Sequence, residues 1–166
     1  MLLHWPVEDS TDMVCWPIDL LAPRSRDRSE QIAERVMRHH WGCPATVLVD
    51  AVVDVVHDLV GYAIYTSGVG ALDYAGLTLW RTDRLPQGPG VLASLHDRRR
   101  YSAGMIAPPT HAWAHDHWLA DAEQIARTAG GYVGARPDDD AGGKTLQVWI
   151  PQPPRTTAVP AVLNLR

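Results

Sequence analysis

The stretch Ala45–Gly68, ATVLVDAVVDVVHDLVGYAIYTSG, constrains the fold more than any other part of the chain. Leu48, Val52, Val55, Val56, Leu59, Ala63 and Ile64 recur at three- and four-residue steps, the period of a helix. Asp50, Asp54, His57, Asp58, Gly61, Tyr62 and Tyr65 fall on the opposite side at about 100° per residue. Its valine runs would also suit a buried strand. A segment of about 20 residues is longer than ordinary strands, however, so the pattern predicts one long helix. Pro44 suits its first turn and Gly68 its end.

A second helix is expected from Ser29, a candidate N-cap, to about His40, with Ile32, Val36 and Met37 inward. It follows a charged loop at Arg24–Arg28. Met13–Ile18 reads as a first strand, placed at an edge by Pro17. Gly76–Arg81 and Val91–His96 read as a hairpin across a Pro- and Gly-rich connection. A third helix is predicted over Trp118–Ala129, stopped by Gly130–Gly131. Strands at Tyr132–Arg136 and Thr145–Ile150 follow, joined by an acidic turn. The order is β-α-α-β-β-loop-α-β-β. It implies a two-layer α/β (α+β) sandwich, with helices on one face of a mostly antiparallel mixed sheet. Residues 1–12 read as a loose arm, 13–151 as the domain and 152–166 as a Pro-rich tail.

At 166 residues the chain fits one domain, and its formal charge of -4 argues against non-specific nucleic-acid binding. Cys15 and Cys43 form neither a metal motif nor a disulfide framework. No basic n-region precedes an apolar core, and no apolar run reaches membrane-spanning length, so a cytoplasmic protein is expected.

Three clusters could carry chemistry. Asp54, His57 and Asp58 share a helix face and could form an acid–base or metal cluster, or a solvated stripe. His111-Ala-Trp-Ala-His115-Asp-His117 has ligand spacing for Zn²⁺, or is a polar loop. Gly142-Gly143-Lys144-Thr145 lacks the upstream glycine of a phosphate loop and reads better as a turn entering a strand.

Two separated segments resemble one known family. VVHDLVGYAIYTSG, Val55–Gly68, is similar to the "N-box" helix of the histidine-kinase-like (GHKL, Bergerat-fold) ATPases. In particular it resembles the small anti-sigma-factor serine kinases abundant in actinobacteria, whose helix reads roughly V-x-E-L-V-x-N-A-x-x-H-A. GGKTLQVWIP, Gly142–Pro151, resembles the family's closing G-G-x-x-strand. The likeness spans about Cys15–Pro151.

The resemblance implies a nucleotide site. Asp58 would stand in for the acidic residue that orients the attacking hydroxyl, and Asp97 for the adenine-reading aspartate. Gly143 and Thr145 would lie beside it. The departures from the pattern imply a degenerate site. Tyr62 replaces the asparagine that holds Mg²⁺, Arg99 replaces a glycine, and Asp116-His117-Trp118-Leu119 replaces the glycine-containing phosphate lid. A phenol is a poor substitute for an amide carbonyl on Mg²⁺, and Asp116 would repel phosphate. Removing one charge-assisted hydrogen bond costs about 1.5–3 kcal/mol. Removing two takes a micromolar site to roughly millimolar.

The expected function is therefore a regulatory, anti-sigma-factor-like binding protein without a bound cofactor. It would associate with a sigma factor, an antagonist or another regulator, and form a homodimer. The alternatives are an active ATP/Mg-dependent serine kinase with Asp58 as base, and a small metal-binding protein using His111–His117. Trp113 and Trp118 are the aromatics expected to meet a partner.

Overall fold

A computed structural model describes residues 12–66, 74–83, 86–97, 119–137 and 143–154. The elements are β1 (Met13–Asp19), α1 (Ser25–Arg35), α2 (Thr46–Thr66), β2 (Tyr74–Arg81), β3 (Gly90–Asp97), α3 (Ala120–Ala129), β4 (Tyr132–Pro137) and β5 (Lys144–Pro151). A π-helical turn, Val36–His40, continues α1. The five strands form one sheet in the order β1-β2-β3-β5-β4, antiparallel at every junction. Three helices and this sheet make the α+β two-layer arrangement that the element order implies.

Side chains alternate across a pleated strand, so the registers assign each residue to a face. One face carries Trp16 and Ile18 of β1, Leu77 and Leu79 of β2, Val91, Ala93 and Leu95 of β3, and Leu146, Val148 and Ile150 of β5. All are buried. Against them α2 packs Leu48, Val49, Val52, Val55, Val56, Leu59, Val60 and Ala63, and α3 adds Ala122 and Ala126. The long helix is the centre of the core, which is why its valines are tolerated: burial outweighs a propensity deficit of a few tenths of a kcal/mol per residue. No helix of the described residues is long and apolar enough to cross a membrane.

Two elements differ from expectation. The first helix starts at Ser25 rather than at Ser29, so Arg26 and Arg28 of the charged run are helical. Its start is tied to β1 by the Ser25 hydroxyl, which donates to the Asp19 carbonyl. Ser29 is instead buried and accepts a hydrogen bond from the Trp16 indole N–H at 3.4 Å. The last strand begins at Lys144, one residue earlier than the pattern suggests. Elsewhere the boundaries agree within two residues. Gly130 ends α3 in the left-handed conformation, φ 82°, and its N–H meets the Arg127 carbonyl. Pro17 sits on β1, an edge strand, where its missing N–H breaks no ladder. Residues 1–11 and 155–166, and the connection 98–118, lie outside the described residues.

Candidate functional site

The second half of α2 runs between the sheet, α1 and α3. His57 and Asp58 are half-buried there, while Gly61 and Tyr62 are buried. The polar face of the sequence pattern is therefore exposed at its start, at Asp50 and Asp54, and covered at Gly61 and Tyr62. His57 Nδ1 pairs with Glu30 Oε1 of α1 at 2.5 Å. The His57 pair ties α1 to α2, as does Arg38, which bonds Glu34 and reaches Asp50 at 3.7 Å.

Asp58 faces α3. The backbone N–H of Ala122, in the first turn of that helix, acts on its carboxylate as a donor, while Asp58 Oδ2 is buried with no hydrogen-bond partner among the described residues. No side chain within α3 caps its own N-terminus, so Asp58 supplies the missing acceptor from a neighbouring helix. Burial raises its pKa above the ordinary carboxylate value, and the charge of Asp121 adds to the rise. The Ala122 N–H, His57 and Arg26 oppose it. Arg26 reaches this point because Gly61 has no side chain: a Cβ there would overlap the guanidinium.

Asp97 is the last residue of β3 and is buried. In register with it stands Lys144, the first residue of β5. The two ends meet on the helix-facing side, with Lys144 Nζ 3.3 Å from Asp97 Oδ2 and fully buried. The ammonium also lies 5.6 Å from the centroid of the Tyr62 ring. Tyr62, Asp97 and Lys144 thus form one internal cluster of cation, carboxylate and aromatic face. Two opposite charges this close in a water-poor setting attract each other strongly, against the large cost of removing both from water.

Of the sequence-derived site residues, Tyr62 and Asp97 are brought together by Lys144, which follows Gly143 in the chain. Thr145 is not part of the cluster. It points to the opposite face of the sheet, where its hydroxyl lies 2.9 Å from His96 Nδ1. Asp58 is engaged with α3. Asp116 and Trp118, with Arg99, Trp113 and the His111–His117 cluster, lie outside the described residues. Among the described residues no group of three or more His, Cys, Asp or Glu side chains could hold a metal ion. A shallow depression lined by Gln31, Glu34, Arg35, Arg38 and His39 lies on the exposed side of α1 and is separate from the cluster.

Lys144 is the residue that motif reasoning missed. Two glycines before it suggest a solvated turn. Its phase with Leu146, Val148 and Ile150 at two-residue steps is the signal that places it on the inner face. Compared with protein-family models, curated proteins and solved structures, the chain matches none.

Proposed function

We propose that this chain is a regulatory binding protein, anti-sigma-factor-like, built on a degenerate GHKL-type ATPase domain. In this proposal it acts in the cytoplasm, in transcriptional control. It associates stoichiometrically with a sigma factor, an antagonist protein or another regulator, without phosphoryl transfer and without a required cofactor. The observation that carries the reading is the buried Lys144–Asp97 pair against Tyr62. Under the resemblance, Asp97 is the carboxylate that would read adenine. An ammonium already bound to it presents N–H donors where a base would have to present its own, and the aromatic ring stands where Mg²⁺ would need an amide oxygen. Asp58, the residue the resemblance makes a base, accepts the Ala122 N–H and so serves the packing of α3.

Incubation with γ-labelled ATP, Mg²⁺ and a partner captured from native extract tests this reading. No label is expected on either protein. Label transferred to the partner, and abolished by Asp58→Ala, would replace the proposal with an active serine kinase.

A further inference from the structure

The outward side of α1 and its π-helical turn carries Arg24, Arg28, Gln31, Arg35 and His39, all exposed. At about 100° per residue these five fall within about a quarter-turn of one another, so they form one ridge of about 20 Å along the helix. None of the three arginine side chains has a hydrogen bond or an ion pair among the described residues. The carboxylates of α1 stand on the flank towards α2. There Glu34 is held by Arg38 at 2.9 Å and Glu30 by His57 at 2.5 Å. Asp27 shares that flank, with Asp50 and Asp54 of α2 exposed beyond it. The two signs of charge are thus segregated: cations outward, anions to one side.

Local physics disfavours this ridge. Arg24 is the N-cap residue and Arg28 lies one turn in, at the positive end of the helix dipole, and no side chain caps that end. Arg24 and Arg28 are also like charges at i, i+4, a spacing at which they repel. Elsewhere the chain places opposite charges at that spacing, as in Glu34–Arg38 and Glu123–Arg127. Cations kept against local preference mark a surface that something else uses. Shape is a second, independent observation. The far half of the ridge borders the depression lined by Gln31, Glu34, Arg35, Arg38 and His39. It lies where α1 passes into the π-helical turn, closed by the Trp41 N–H on the Val36 carbonyl at 2.9 Å. Turns of this kind are rare and concentrate at functional positions.

We infer that the outward ridge of α1 is a docking surface for an acidic helical segment of a protein partner. Charge complementarity selects this occupant. Arg24, Arg28 and Arg35, at steps of four and seven residues, offer guanidinium forks to carboxylates repeated at the same steps on a second helix. The acidic flank of Asp27, Asp50 and Asp54, in a chain of net charge -4, repels a continuous phosphate backbone. It suits a helix whose adjoining side carries lysine or arginine, which fixes the direction in which the two helices lie. The depression beside Arg35 receives one side chain of the partner. Because the contacts are exposed and ionic, the association is weak, fast and sensitive to salt. This inference names the partner chemistry of the proposed function and rests on that reading for the partner being a protein; the charge layout is independent of the nucleotide site.

An NMR titration of the full chain with a synthetic helical peptide, bearing glutamates at steps of four and seven residues, tests it. Amide shifts are expected along Arg24–His39, with a Kd on the order of 1 mM or below at about 20 mM salt, raised at least about 5-fold at about 200 mM. Arg28→Glu and Arg35→Glu should each raise the Kd at least about 5-fold. Arg127→Glu, the same change of charge on the exposed side of α3, should leave it unchanged. Arg28→Glu should also raise the melting point, since an anion suits the start of a helix; a fall overturns the electrostatic reasoning. Absence of shifts on α1 overturns the inference, and so does equal weakening by all three variants, which would report net charge alone. Tighter binding of a single-stranded DNA oligonucleotide of equal charge at the same ridge overturns the choice of partner. Failure here leaves the outcome with labelled ATP untouched, so the two readings fail separately.

Discussion

Replacing Lys144 by methionine removes a charge and keeps most of the stem. The ammonium is fully buried, 3.3 Å from Asp97 Oδ2, and the carboxylate side chain is 6% exposed. Breaking one partner of such a pair leaves the other charge unmatched in the interior, at a cost of about 3–5 kcal/mol. Removing the cation from the face of the Tyr62 ring adds about 0.5–2 kcal/mol. For a chain of this size 1 kcal/mol moves the melting point by about 2–4 °C, so Lys144→Met should lower it by at least about 6 °C. Asp97→Asn should cost a comparable amount, because it strands the ammonium. The double variant Lys144→Met/Asp97→Asn removes both charges and should recover most of one single loss. Urea unfolding of the four proteins, extrapolated linearly, gives the coupling energy directly. Two small and additive losses, each below about 1 kcal/mol as surface pairs give, would refute the buried-pair reasoning.

Asp58 yields a pH prediction. Its raised folded pKa means that the native state holds more protons than the unfolded chain between the ordinary carboxylate value and the raised one. Stability therefore falls as pH rises through that window, and this component vanishes in Asp58→Asn, measured by melting curves at a series of pH values. Asp58→Ala should cost about 1 kcal/mol at neutral pH through removal of the α3 cap, whereas Asp58→Asn, which retains an acceptor, should cost less; equal losses would contradict the cap. Gly61→Ala adds helix propensity of about 1 kcal/mol but displaces the Arg26 guanidinium. Its net stability should change little while the Asp58 pKa rises further, as a carboxyl NMR titration would show.

Much of the fold was legible because periodicity reports burial. The long helix, the Pro17 edge strand, the hairpin of β2 and β3 and the stop at Gly130 all follow from local rules that the packing does not override. The start of α1 was hidden by the charges of Arg24–Arg28, since Arg26 is on a helix for the sake of a contact with α2 that no local pattern encodes. Asp58 was visible as a polar residue on α2, but its partner is a backbone N–H far along the chain. The site was half legible. Tyr62 and Asp97 were identified from resemblance to a motif, whereas Lys144, the residue that neutralises Asp97, follows from the register of β3 with β5. Thr145, its neighbour, goes to the other face by the same alternation.

The central claim is that the space a nucleotide would need is held by the chain itself. A thermal-shift titration with Mg·ATP and with ADP addresses it, since a ligand that binds only the native state stabilises it by RT ln(1 + [L]/Kd). With millimolar affinity, ligand near 1 mM gives about 0.4 kcal/mol and a melting shift of about 1–2 °C, which is the result expected. A shift of about 8 °C or more at the same concentration, corresponding to roughly 4 kcal/mol and micromolar binding, would contradict it.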